Sequence, residues 1–440
     1  MFGDLIHSDN SEKNKNLADR LKQRRAALLE LIAQKYPDQK GSVVLFAPIE
    51  QDFHDFLQDS SFYYFSEINE PAVVLSWAMH EPTVLYQPNF GNLRAKWVHS
   101  VDVINDDTKS LYAFDELKIS GNLLATYNVD PYFAPEDYQF IIEYLTKMVL
   151  QKQTIFTLYP LHSRAYASVK KIIDRLALFV PDLMKYVVDI SDLIAMMRRK
   201  KDMVEIESMY QAVEITNMAF QAAAHMIKPG VSEAEIQATI EYIFTENGAR
   251  SAYGSIVGSG HNATILHYRT NRSIMRDGDV LLIDAGAMWQ HYCADITRVF
   301  PVSGSFSQRQ IELYEIVLAA QEHVASFAKP GVWMNNPKEQ ENSLQHITHN
   351  FFKQHGVDQY FGHGISHFLG LDVHDVGTRY AQLEAGDVIT IEPGIYIPKE
   401  SIGIRIEDNY WIIDDAPAVC ISEDIPKTIE EVKEMVQQNL

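Results

Sequence analysis

The 440-residue chain holds only two cysteines, Cys293 and Cys420, too few for a disulfide framework. A reducing compartment is expected on that ground. No uninterrupted apolar run reaches membrane-spanning length. The opening stretch MFGDLIHSDNSEKNKN lacks the basic and apolar regions of a secretory leader. A cytoplasmic location with no membrane partner is the expectation. Positive charge is also scarce, with 38 Lys and Arg against 59 Asp and Glu and a formal net charge of −21. Nucleic acid demands a basic footprint, so no nucleic-acid partner is expected. The one basic run, residues 198–201, is followed at once by Asp202, Glu205 and Glu207 and reads as a solvated helix end. Low-complexity segments are missing too.

What is present suffices for two ordinary domains: the length exceeds one, and 46% of residues are apolar. Residues 17–36 have helical periodicity, and Pro37 ends them. Strand-like runs at 43–47, 72–77, 83–86 and 154–158 alternate with helical stretches at 135–150 and 163–178. That alternation predicts an α/β domain over residues 1–182, leaving 183–440 as a second domain. The second begins with a long helix over 202–226, closed by Lys228-Pro229-Gly230. Ser232 and Glu235 then form a capping-box signature. A later helix over 308–328 is closed by Lys329-Pro330-Gly331.

The second domain repeats itself. Gly278-Asp279-Val280-Leu281-Leu282-Ile283-Asp284-Ala285-Gly286 aligns with Gly386-Asp387-Val388-Ile389-Thr390-Ile391-Glu392-Pro393-Gly394, and Asp284 and Glu392 stand 108 residues apart. Two related halves facing across a pseudo-two-fold axis would each deliver an acid at the end of a buried strand. Asp295 follows Asp284 after a short connection, and Glu407 follows Glu392 in the same way. Antiparallel pairing brings such side chains onto one face. Four carboxylates converging in apolar contexts repel each other unless cations neutralise them.

Histidine adds a further donor. The stretch from His363 to Asp375 holds His363, His367 and His374 among glycines. One neutral imidazole with four carboxylates is an oxygen-rich set, suited to Mn²⁺ and tolerant of Co²⁺ or Zn²⁺. Five protein groups are many for one ion but sensible for two sharing bridging carboxylates, about 3.5–4 Å apart. Arg405 lies on the Glu407 face of its strand, where it holds a carboxylate or contacts substrate. Cys293 shares that parity with Asp295 but reads as a small packing residue. The glycine-bearing phrase at 254–260 lacks the Lys-Ser/Thr ending of a phosphate loop.

Asp284, Asp295, the HGxxH phrase with His367, Glu392 in IEPG and Glu407 in GIRIED together resemble the pita-bread metallopeptidases. The large first domain makes the chain similar to their creatinase/prolidase/aminopeptidase P branch, and residues 62–71, 255–260 and 363–377 resemble phrases of bacterial aminopeptidase P. The resemblance implies an N-terminal creatinase-like α/β domain followed by a pita-bread catalytic domain. It implies that Asp284 chelates one ion, Asp295 and Glu407 bridge two, and His367 and Glu392 complete the second. Glu392 would also serve as general base toward a water held between them. His267 and His374 would donate to the scissile carbonyl oxygen, while His363 and Arg405 would shape a proline pocket and Thr297 would support the ligands. The implied reaction is hydrolysis of the N-terminal Xaa–Pro bond of a peptide by a homodimer or homotetramer. Creatinase lacks these ligands, so their presence disfavours creatine hydrolysis. Lys96-Trp97-Val98-His99-Ser100 replaces a Trp-x-Gly-Arg-Arg-like phrase, and Arg379 stands where an aromatic often borders the pocket. Both changes touch substrate selection, leaving prolidase, which cleaves Xaa-Pro dipeptides, as the alternative. A third reading is a catalytically inactive pita-bread module that binds proteins.

Overall fold

Apolar residues of the first helix recur at Leu21, Leu28 and Ile32, which puts all three on one buried face of α1 (Asn10–Lys35). In the computed structural model, residues 10–50, 55–100, 104–129, 133–160, 167–414 and 416–437 are described. The chain divides into two compact units, Met1–Met197 and Arg198–Leu440.

The first unit is built on one six-stranded sheet. Its strands are β1 (Gly41–Phe46), β2 (Val74–Trp77), β3 (Val84–Asn89), β4 (Glu116–Leu123), β5 (Thr154–Thr157) and β6 (Val187–Asp189), in the order β4-β3-β2-β1-β5-β6. The β1–β2 and β2–β3 pairs are antiparallel and the others parallel. Helices α2 (Ser60–Ser66), α3 (Gln139–Leu150) and α4 (Ala167–Leu176) belong to this unit. The helix expected over 163–178 begins on residues outside those described. β6 completes the sheet, so the expected division after residue 182 falls before its last strand. Helix α5 (Ser191–Arg199) then carries the chain into the second unit.

The second unit shows the expected internal repeat. Helix α6 (Met203–Ala224) is capped by Asp202 and α7 (Glu233–Glu246) by Ser232, each through a complete capping box. There follow β7 (Arg250–Ser251), β8 (Ile256–Ser259), β9 (Val280–Ala285), β10 (Ala287–Trp289), β11 (Tyr292–Cys293) and β12 (Ile296–Pro301). β9 pairs antiparallel with both β8 and β12, and β10–β11 is a hairpin inserted between β9 and β12. The second half repeats the plan: α8 (Gln308–Ala325) and α9 (Leu344–Gln354), then β13 (Val388–Ile391), the hairpin β14 (Gly394–Ile397) and β15 (Ile402–Arg405), and β16 (Asp408–Trp411). β13 pairs with β16 as β9 does with β12. β17 (Val419–Cys420) extends that sheet, and α10 (Ile429–Gln437) follows. An isolated antiparallel bridge from Thr297 to Glu407 joins the halves.

The connection between the acids of each half is a hairpin, β10–β11 in the first and β14–β15 in the second. One detail corrects the sequence reading. The basic run is not a solvated helix end: only Lys200 among its side chains is largely exposed. Arg198 Nη2 lies 2.6 Å from Asp375 and 2.7 Å from Asp372, and Lys201 Nζ lies 2.9 Å from Asp375. Arg198, Lys201 and Asp375 are each buried, and a carboxylate at that depth requires a cation.

Candidate metal centre

Close approach of neighbouring atoms favours the glycine that closes each repeated motif. A Cβ on Gly286 would stand 1.8 Å from the carbonyl oxygen of Ala294, and one on Gly394 would stand 2.5 Å from the Tyr396 hydroxyl. At Gly286 the obstacle is backbone and leaves no room for a side chain, whereas at Gly394 a Cβ would have to displace the Tyr396 ring. Asp284 is the penultimate residue of β9, opposite Thr297 of β12, while Asp295 lies on the link from β11 to β12. Glu392 lies on the link from β13 to β14, and Glu407 on the bridge between halves.

These placements converge. Asp295, His367 and Glu407 offer ligand atoms that all lie within 4.8 Å of one another. His367 Nε2 is 3.3 Å from Asp295 Oδ2 and 3.7 Å from Glu392 Oε1, which brings Glu392 to the same place. Asp284 is tied in through Tyr253, whose hydroxyl is 2.6 Å from Asp284 Oδ1 and 2.5 Å from Asp295 Oδ1. Arg405 is the fixed cation of the group. It donates to Asp284 Oδ2 at 2.5 Å, to Thr297 Oγ1 at 3.0 Å and to the Tyr396 hydroxyl at 2.9 Å. Thr297 in turn donates to Glu407 Oε2 at 2.7 Å. Of the two uses open to Arg405, holding a carboxylate is the one these bonds display.

The electrostatics follow from this crowding. Burial, and then the negative fields of Asp295, Glu392 and Asp284, push Glu407 well above the usual carboxylate range. Burial also pushes Glu392 up to about 7, against the pull of His367 and Arg405. Asp284 rises for the same first reason, opposed by Arg405. Burial alone would lower His367, but its hydrogen bond to Asp295 and the field of Glu392 raise it to about 9. His363 falls to about 4 through burial and the nearby Arg405.

The residues fit divalent cations on chemical grounds. A hydroxyl has one proton, so Tyr253 can donate to only one of the two carboxylate oxygens it touches. The other requires a proton or a positive ion. The single guanidinium cannot neutralise four carboxylates, and the shifts above show the cluster holding protons where cations would serve. Carboxylate oxygens with one imidazole nitrogen are the donor set that Mn²⁺, Co²⁺ and Zn²⁺ accept.

The remaining histidines border this centre. His363 Nε2 is 2.9 Å from the Tyr396 hydroxyl and its Nδ1 is 3.6 Å from Glu392 Oε2. The His374 ring lies 4.3 Å from that of His367, and its pKa is lowered by burial and then by His367. His267 is exposed, on the turn after the short helical stretch Gly260–Thr264, and lies near enough to contribute to the lowering of both His363 and His374. The next residue, Tyr268, anchors that turn by donating to buried Glu233 at 2.9 Å. Cys293 proves a packing residue: it is fully buried, and its backbone N–H donates to Gly370 at 2.8 Å.

Tyr253, Tyr396 and Asn409 belong to the site although no motif assigned them a role. Asn409 holds both backbone groups of Asp295, accepting from its N–H and donating to its carbonyl. Each occurs once, outside the repeated phrases, so periodicity carried no trace of them. Gly394, kept small beneath Tyr396, was the one available hint.

Residues 207–414 match the model of metallopeptidase family M24. An Xaa-Pro aminopeptidase from Haemophilus influenzae is 37% identical over 278 residues, covering 57% of this chain and 64% of the relative. An Xaa-Pro dipeptidase from Pyrococcus horikoshii is 41% identical over 229 residues, covering 51% and 62% respectively. In these alignments the chain thus spans less than two thirds of the relatives' lengths. Among solved structures, proline aminopeptidase P II from Yersinia pestis superposes with a TM-score of 0.79 at 27% identity, covering 96% of this chain and all of that one. The internal repeat of the second unit is consistent with the pita-bread fold that the motifs imply for it.

Proposed function

We propose, on the match of residues 207–414 to the model of metallopeptidase family M24, that the protein is a two-metal aminopeptidase that hydrolyses the N-terminal Xaa–Pro bond of peptides. The observation that carries this reading is the convergence of Asp295, His367 and Glu407, with Asp284 and Glu392 drawn to the same point. Asp284 would hold one ion, His367 and Glu392 the other, and Asp295 and Glu407 both, with Mn²⁺ the preferred metal. When bound, two such ions neutralise the carboxylates, acidify a water and stabilise negative charge that develops on a carbonyl oxygen.

The protein's own groups then divide the work. Glu392 takes a proton from the attacking water as its oxygen bonds to the carbonyl carbon. The same proton passes to the prolyl nitrogen as the C–N bond breaks, releasing one amino acid and a peptide that begins with proline. His374, lowered in pKa, stays neutral at pH 7 and offers one N–H to the carbonyl oxygen, with His267 beside it. His363 and Tyr396 flank Glu392 and border the space for the proline ring. The Xaa–Pro bond has no amide hydrogen, so a site that recognises it cannot rely on that donor.

Steady-state rates of Mn²⁺-loaded protein on an Xaa-Pro-Xaa tripeptide and an Xaa-Pro dipeptide test the reading. Faster cleavage of the tripeptide is expected, and failure on both would refute it. Strong preference for the dipeptide would select prolidase, the reading that the similarity to the Pyrococcus horikoshii dipeptidase favours. A cytoplasmic, homodimeric or homotetrameric enzyme completes the proposal, with the assembly open to light scattering.

A further inference from the structure

We infer that Gln321, Lys427, Asp408 and Arg298 form a positioning frame that sets the spacing of Glu392 and Glu407, making the C-terminal segment a working part of the metal centre. The inference rests on the two-metal reading above. It starts from Gln321 of α8, which is wholly buried. Its side-chain amide lies 3.3 Å from the carbonyl of Ile391 and 3.2 Å from that of Ile406. These are the residues immediately before Glu392 and Glu407. An amide has two N–H donors, so it serves both carbonyls at once and fixes the distance between the two acid-bearing links.

The frame continues away from the centre. Gln321 Oε1 accepts from Lys427 Nζ at 3.0 Å, and the same ammonium reaches Asp408 Oδ2 at 2.8 Å. Asp408 Oδ1 accepts from Arg298 Nη2 at 2.7 Å. Arg298 is fully buried and uses all five donors. Its remaining four go to the carbonyls of Thr297, Glu407, Ile425 and Pro426, at 2.7–3.0 Å. One guanidinium therefore grips a proposed ligand's own backbone, the residue whose hydroxyl bonds that ligand, and the chain leading into α10. Tyr314 adds a bond from α8 to the carbonyl of Lys427 at 2.7 Å.

Ordinary core glue would have no reason to fall on these positions. Every anchor on the catalytic side lies on Glu407, next to it or Glu392, or on Thr297. Partners behind metal ligands typically govern affinity by about 10–100-fold. The frame should therefore act on metal retention before it acts on peptide binding.

The test is Mn²⁺ titration calorimetry on chelator-stripped full-length protein, with melting temperature recorded for each variant. Gln321→Leu and Lys427→Met should each weaken Mn²⁺ binding roughly tenfold or more. KM for the peptide at saturating Mn²⁺ should stay near the parent value. Lys427→Arg should recover part of the loss. Ile240→Ala, a core truncation in α7, should lower the melting temperature while leaving Mn²⁺ affinity unchanged. If Gln321→Leu does not fold, Lys427→Met decides, since that side chain is one-fifth exposed. Variants within twofold of the parent affinity, or an equal loss in Ile240→Ala, would overturn the inference. A parent protein that binds no Mn²⁺ would instead defeat the two-metal reading itself.

Discussion

Metal binding should release protons, and two groups of the cluster supply a minimum count. His367, raised to about 9, is protonated on the stripped protein at neutral pH, and that proton must leave before its nitrogen can bind an ion. Glu392, raised to about 7, is half protonated there and must also ionise. Both shifts are upward, so each group holds its proton below its raised pKa and metal affinity falls as pH falls. Between pH 8 and pH 6, His367 adds about two decades of proton competition and Glu392 about one. At 1.36 kcal/mol per pKa unit that is roughly 4 kcal/mol, a loss of about a thousandfold in Mn²⁺ affinity. Calorimetric titration at pH 7 in buffers of different ionisation enthalpy counts the protons, and more than one per protein is expected. Affinity that stays flat from pH 6 to 8, with no proton release, would refute this account of the cluster.

Four further outcomes are expected. Glu392→Ala should abolish turnover, a loss of at least about 10²-fold, and weaken metal retention while the far-ultraviolet dichroism stays unchanged; near-normal activity would contradict its assignment. His374→Ala should cut kcat about 10²-fold or more with the metal-to-protein ratio intact, and a lost ion would count against its role as a donor. Asp375→Asn removes the buried carboxylate that Lys201 and Arg198 share, leaving Arg198 its contact with the more exposed Asp372, and should cost about 3 kcal/mol in urea unfolding. Burial would raise Asp375, but Lys201 and Arg198 hold it below the usual range. The native pair's contribution is therefore complete above the unfolded pKa near 4 and is lost as pH falls through the lowered folded value; a variant as stable as the parent at pH 7 would exclude it. Gly286→Ala would drive a methyl group to 1.8 Å from a carbonyl oxygen and should prevent stable folding, which expression with a solubility assay checks.

Much of the site was legible because duplication writes each half twice. An acid at the end of an apolar strand is ambiguous once, but Asp284 and Glu392 at the same place in two copies imply a shared destination. The capping box at Ser232 was equally readable, since a cap and its partner lie three residues apart. Groups whose partners lie far along the chain were not. Arg198 and Lys201 looked solvated beside local acids, yet their partner is Asp375, reached only when the chain folds back. Tyr253 was silent because its two carboxylates are 31 and 42 residues away.

By itself the sequence determined the residue types, the repeat, the alternation of helices and strands and the five candidate ligands, all of which local patterning records. Tertiary structure alone decided that Thr297 meets Glu407 across the halves, that Arg405 grips Asp284, and that Gln321 spans two acid-bearing links. The reason is physical: pairing between distant strands depends on the register and depth at which they dock, and side-chain period says which face a residue takes but not what it will find there.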